Sequence, residues 1–366
     1  MTTDTQPGLG PDLIAALLQR LSPFYAPTPL LDLPSLAASL DVAQVLAKNE
    51  GHRALGSFKS LGGTYAGLWA LARTTGMDID ELLDPERAQT PLPALITASA
   101  GNHGLAVAAA AKFAGGRARI YLHTGVPAAR VRRVESQGAE IVWVDGTYDD
   151  AVDRASAAAR AGEGILVADT SSDPDDPAVA DVVAGYGVIA AEIRRQVDEI
   201  GHLRPSHLFV QAGVGGLAAA LTTGLKDWLM PPAMIVVVEP EAAACVAAAL
   251  SQARSVRISG DLKTSADMLA CGEAAASALD VLRQGNARVI TVSEAALADA
   301  KSRLREANGP DTTPSGAAGL AGLATAVAAY GLSQELALDE SSRALIIVTE
   351  AELEKDAGRW HRTRDH

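Results

Sequence analysis

The sequence predicts an α/β protein built on mainly parallel sheets, and three observations carry that expectation. Short β-branched runs recur at 94–97, 118–122, 140–144, 207–211, 234–238 and 344–348. These runs are continuously apolar, as strands buried on both faces are. Ala-rich stretches of helical length separate them, at 104–113, 128–137, 148–161, 179–200 and 316–329, and strands alternating with helices read as βα units.

In chain order, the Pro-rich entry at 22–29 predicts an irregular arm. The stretch 74–93 reads as a surface insertion with a polar helix at 78–83, and the acidic run 173–177 as a crossing between lobes. No internal repeat or low-complexity tract is present. At roughly 150 residues per domain, 366 residues suggest two or three domains, or two lobes of one enzyme.

Composition narrows the function. Hydrophobic residues make up 48% and charged residues 20%, enough apolar surface for a large core. Lys plus Arg is 31 and Asp plus Glu is 44, a net charge of −13. That balance argues against nucleic acid or an anionic membrane as the main partner. Cys245 and Cys271 build neither a disulfide framework nor a zinc cluster, which fits a reducing cytoplasm. The first residues lack the pattern of a signal peptide, and apolar runs such as 242–250 fall short of the ~20 residues of a membrane span. A soluble cytoplasmic protein is expected.

Four segments carry chemistry-bearing residues. In Gly56-Ser57-Phe58-Lys59-Ser60-Leu61-Gly62-Gly63, Lys59 has two readings: a helix-start lysine facing water, or an amine made nucleophilic by partial desolvation against Phe58. Thr97-Ala98-Ser99-Ala100-Gly101-Asn102-His103-Gly104 joins a strand to a helix. With Ser99 as its cap, that helix start offers amides to a carboxylate, although an ordinary capped turn looks the same. Gly213-Val214-Gly215-Gly216-Leu217 follows another strand, and its clustered glycines let backbone N–H groups converge on a phosphate. A dinucleotide fold competes there, because Glu239 ends the next strand where a ribose-binding acid would sit. Against it, Ala218 occupies the last glycine position of G-x-G-x-x-G. In Thr312-Thr313-Pro314-Ser315-Gly316, Ser315 reads as a plain helix cap or as a partner for a pyridine nitrogen.

Taken together and in this order, the four segments resemble the fold-type-II pyridoxal-phosphate enzymes of the tryptophan-synthase-β group, over about 27–349. The stretches 54–63, 167–170, 185–187, 210–216, 238–240 and 269–273 are similar to diaminopropionate ammonia-lyases in particular. One departure stands out. That family carries an Asp before Gly-Asn-His-Gly, whereas Ala100 stands here, as in the loop of threonine dehydratases.

The resemblance implies two lobes with the cofactor between them: a large cofactor domain of 1–59 and 173–366, and a small substrate-side domain of 60–172. It implies that Lys59 holds pyridoxal 5'-phosphate as an imine and takes the substrate α-proton, with Phe58 beside it. Asn102 would contact the phenolic oxygen, Gly213, Val214, Gly215, Gly216 and Leu217 the phosphate, and Ser315 the pyridine nitrogen. Ser99, Ala100, Gly101, Asn102 and His103 would hold the carboxylate of a small amino acid. Asp169 and Glu273 would serve the leaving group, against bland readings as a loop cap and a solvated helix-start acid. His103 reads as a structural loop residue and Cys271 as a small buried filler. The implied reaction is α,β-elimination from a 2,3-diaminopropionate-type amino acid to a 2-oxo acid and ammonia. A serine, threonine or 3-substituted-serine dehydratase is the alternative, and a noncatalytic or dinucleotide-binding protein a remote one. The family precedent implies a homodimer, and no metal.

Overall fold

The computed structural model describes residues 9–87 and 91–352. Within them, ten strands form two sheets. β1 (Leu30–Asp32), β2 (Gln44–Asn49), β7 (His207–Gln211), β8 (Met234–Pro240), β9 (Arg288–Val292) and β10 (Arg343–Val348) form a six-stranded sheet in the order β1-β2-β10-β7-β8-β9. β3 (Leu95–Thr97), β4 (Ala118–His123), β5 (Glu140–Val144) and β6 (Ile165–Leu166) form a second sheet in the order β5-β4-β3-β6. Every pairing is parallel except β1 with β2. The mixed α/β architecture is therefore the one the sequence predicts.

Helix starts follow local chemistry. Asp176 caps the helix Pro177–Ile200 by accepting from Ala178 N at 2.9 Å, with Pro177 in the first turn. Thr147 and Asp150 form a reciprocal capping box at the head of the helix Tyr148–Arg160. The acidic run 173–177 lies between β6 and β7, where the chain leaves one sheet for the other. The polar helix of the 74–93 stretch is Ile79–Leu83, capped by Asp78. Residues 88–90 of that stretch, and the N-terminal residues 1–8, lie outside the described ones.

Four strands escaped the sequence. β6 has two residues, β1 three, and β9 alternates weakly at an edge. β2 is instructive: its sequence QVLAKN mixes polar with apolar residues, yet every residue is buried. Its Lys48 is satisfied by the Thr28 carbonyl at 2.8 Å, Glu192 at 2.6 Å and Gln196 at 2.9 Å. Arg53 bridges Glu192 and Glu50, completing a buried cluster of two cations and two acids. The helix Pro11–Leu21 ahead of the Pro-rich arm was likewise not expected, and the arm itself holds one short 3-10 turn, Pro23–Tyr25.

Candidate active site

Parallel strands bring their carboxyl ends to one edge, and ligands of open α/β sheets bind in the crevice there. The loops leaving β3, β7 and β10 all open into one cavity of about 910 Å³. Its wall contains Phe58, Lys59, Ser99, Ala100, Gly101, Asn102, His103, Asp169, Gly213, Val214, Gly215, Gly216, Leu217, Glu273 and Ser315. Segments far apart in the sequence thus meet at one place.

Lys59 opens the helix Lys59–Thr75, and its Nζ lies 2.5 Å from Asp169 Oδ2. Both side chains are 22% exposed. Burial alone would push the ammonium down, but the Asp169 carboxylate outweighs it and holds Lys59 well above an ordinary lysine. Burial likewise pushes Asp169 up, and the Lys59 charge reverses this, holding it below the usual carboxylate range. The expectation of an amine left neutral by desolvation against Phe58 therefore needs correcting. The Phe58 ring centroid lies 5.8 Å from Nζ, but the partner that sets the ionisation is Asp169. Asp169 stands three residues beyond β6 and pairs with Lys59 rather than capping the strand.

The loop after β3 also differs in detail. The helix Asn102–Phe113 is capped by the position of Gly101, with no side-chain bond, so its first amides stay free. Ser99 is not the cap: its Oγ accepts from Gly101 N at 3.3 Å, tightening the turn ahead of the helix. Asn102 Nδ2 donates to Glu350 Oε2 at 2.5 Å. His103 Nε2 lies 2.8 Å from the Val167 carbonyl, and burial lowers its pKa, so a neutral ring donates from Nε2. Its Nδ1 is buried without a partner.

The phosphate-type loop is shaped by glycine. Gly215 has φ +94°, and a Cβ on Gly213 would stand 2.9 Å from Cys271 Sγ. The helix Gly216–Leu225 that follows carries no side-chain cap, leaving its first N–H groups for an anion. The buried Tyr186 ring packs 4.8 Å from Phe58, beside Gly62 and Gly216, and its hydroxyl has no protein partner. An uncapped helix start, an orphaned buried hydroxyl and a lysine around one cavity fit a phosphate-bearing aldehyde cofactor.

Ser315 Oγ accepts from Met268 N at 3.1 Å. The cap of its helix, Pro314–Ala328, is Thr313. Glu273 is no helix-start acid: the helix begins at Ala276, and Glu273 bridges to Arg257 and accepts from Ser255 Oγ at 3.1 Å. Cys271 is half-buried, with its thiol pushed up to about 11 by burial, which leaves it unreactive. Glu239 does not face the glycine loop as a ribose acid would. Both its oxygens accept backbone N–H groups, from Val246 and Ala247 at 2.8 Å each, at the start of the helix Cys245–Gln252.

Sequence reasoning missed Glu350, Gln211 and Tyr186. Gln211 donates to the Ser315 and Ile347 carbonyls at 2.9 and 3.0 Å. Strand-end positions at Gln211 and Glu350 were the available signal, since β7 and β10 end where the cavity begins.

Two parallel-sheet cores with a lysine and a phosphate cradle between them define a pyridoxal-phosphate enzyme of fold type II. The chain belongs to the pyridoxal-phosphate dependent enzyme family, whose model matches residues 21–350. It is 32% identical over 340 residues to the diaminopropionate ammonia-lyase of Escherichia coli (strain K12), covering 90% of this chain and 85% of that one. A probable D-serine dehydratase of Burkholderia lata is 27% identical, over 86% of this chain and 73% of the other. Among solved structures, the Escherichia coli lyase in complex with an aminoacrylate-PLP azomethine reaction intermediate superposes with a TM-score of 0.82 at 30% identity, covering 96% and 92% of the two chains. A bacterial threonine deaminase, that of T.th., gives 0.75 at 26% identity, covering 96% and 100%.

Proposed function

We propose that this chain is an ammonia-lyase catalysing α,β-elimination from a small β-substituted amino acid of the 2,3-diaminopropionate type. The observation that carries the reading is the Lys59–Asp169 pair, 2.5 Å apart on the wall of the cavity. Bound pyridoxal phosphate supplies the electron sink that makes an amino-acid α-proton removable. Lys59 holds the cofactor, the amides of 213–217 its phosphate, Ser315 its ring nitrogen and Asn102 its phenolic oxygen. The free amides of Gly101–His103 take the substrate carboxylate.

The proton then has a path. Lys59 Nζ removes it from the α-carbon, and Asp169, hydrogen-bonded to the same nitrogen, receives it and passes it to the departing β-group. Asp169 suits both halves of that duty. Opposite a charged Lys59 it is a carboxylate; when the nitrogen is neutral, only burial acts on it, and burial raises its pKa. Glu273 stands on the same wall as a polar contact for the β-substituent.

A dehydratase acting on serine, threonine or a 3-substituted serine is the second reading, favoured by Ala100 and by the D-serine dehydratase likeness. With no acid at position 100, deprotonation proceeds from the Lys59 side alone, which predicts preference for L-amino acids. Two further proposals accompany the reading. The lobes divide at 1–59 with 173–366 and at 60–172, supported by the grouping of β3 to β6 in their own sheet. The enzyme works as a homodimer in the cytoplasm, supported by its two free cysteines and, for the described residues, by the lack of any helix long and apolar enough to cross a membrane.

The test is a 2-oxo-acid assay on diaminopropionate, serine, threonine and 3-hydroxyaspartate in both configurations. Highest kcat/KM on L-diaminopropionate is expected. Highest kcat/KM on a hydroxy amino acid would move the enzyme to the dehydratases, and equal turnover of both enantiomers would reveal a second base.

A further inference from the structure

Glu350 sits two residues beyond the end of β10, 6% exposed, on the wall of the cavity. Three of the four chemistry-bearing segments converge on it. Its Oε2 accepts from Asn102 Nδ2 and its Oε1 from Thr313 Oγ1, each at 2.5 Å. Thr313 is itself the cap of the Ser315 helix, accepting from Gly316 N at 3.1 Å. On the main chain, Glu350 bridges Ser57, and the neighbouring bonds Phe58 N to Thr349 O and Ala351 N to Gly56 O fasten the strand end to the segment just ahead of Lys59.

We infer that Glu350 is a positioning residue for the cofactor: it fixes the amide of Asn102 and ties that residue to the Lys59 and Ser315 segments. A carboxylate only accepts, so it admits the nitrogen end of Asn102 and excludes the oxygen end. That choice leaves the second Asn102 N–H as a donor for the cavity. The contact also spans the two sheets, because Asn102 follows β3 and Glu350 follows β10. Charge-assisted bonds to a buried carboxylate are stronger than neutral ones, which suits the role of a fixed point.

The inference rests on Asn102 facing the cofactor, as proposed above, and the experiment separates the two ideas. Pyridoxal phosphate is titrated into the full chain and into Glu350→Ala, Glu350→Gln, Asn102→Ala and the double variant Glu350→Ala/Asn102→Ala. The readouts are the dissociation constant and the position of the visible band of bound cofactor, with circular dichroism as the check on folding. Glu350→Ala and Asn102→Ala should each weaken binding by roughly tenfold or more and shift the band. The double variant should bind no worse than Asn102→Ala alone, because Glu350 acts through Asn102. Glu350→Gln, which keeps an acceptor for Asn102, should recover part of the loss. If Glu350→Ala does not fold, the isosteric Glu350→Gln takes its place in the cycle, with a smaller shift that again vanishes beside Asn102→Ala. Independent, additive effects would overturn the inference and leave the Asn102 reading standing. A normal band and affinity in Asn102→Ala would overturn both.

Discussion

Lys48 and Lys59 lie 11 residues apart and each meets a carboxylate across more than 100 residues of sequence, yet the structure gives them opposite characters. Lys48 is wholly buried, its ammonium divided among three acceptors inside a four-charge cluster with Glu50, Arg53 and Glu192. There burial outweighs the acids and lowers its pKa. Lys59 has one acid and one open side, and its pKa is raised. A lysine saturated on every side is scaffold, while one that keeps a free approach and a single proton acceptor is equipped for chemistry. Reactivity follows the unfilled positions around the nitrogen, not burial alone.

The largest expected effect is at Lys59. Lys59→Ala should abolish turnover and the visible band of bound cofactor, measured by absorbance and 2-oxo-acid release. Persistence of both would assign the chemistry elsewhere. Next comes its partner. General acid assistance is typically worth ~10²–10⁴ in rate, so Asp169→Asn should lower kcat by about that factor. It should also lower the pKa of the Lys59 amine, so that cofactor attachment extends to lower pH than in wild type. An unchanged rate would reduce Asp169 to a counter-ion.

Lys48→Met sharpens the contrast from the other side. Removing one member of a buried ion cluster leaves Glu192 undercompensated, at a cost of about 3–5 kcal/mol in stability. Denaturant unfolding should show that loss, while the cofactor band of the remaining folded protein keeps its position. A shifted band with intact stability would mean that Lys48 reaches the site.

Glu239 supplies the smallest effect. Unlike Asp169, it has no cation, and burial pushes it up to about 7. The folded state therefore binds its proton more tightly than the unfolded state does. Stability should fall as pH rises from the ordinary glutamate range to about 7, by roughly 3 kcal/mol. Glu239→Gln should flatten that stretch of the stability–pH curve, and an unchanged slope would place its origin in another group.

The comparison also marks what a sequence reveals. Lys59 was legible because its neighbours form a contiguous pattern and the other three segments follow in order. The apolar strands β3, β4, β5, β7, β8 and β10 were legible for the same local reason. Lys48 was not, since Thr28, Glu192 and Gln196 come from elsewhere in the chain and a polar strand reads as a surface one until they are in place. Glu350 and Tyr186 stayed hidden likewise: nothing local to a strand-end acid, or to a tyrosine within a helix, points to a cavity shared with residues far away. The Lys59–Asp169 pair changed the reading of Lys59, from an amine freed by an aromatic neighbour to one governed by an acid.

The most direct measurement is a map of where the cofactor attaches. Pyridoxal phosphate bound to the full chain is fixed by borohydride, the protein is digested, and the labelled peptide is located by mass spectrometry. The geometry predicts a single stoichiometric label on Lys59, with Lys48 unmodified. A label on any other lysine, or none on Lys59, would contradict the assignment of the cavity lysine as the reactive one.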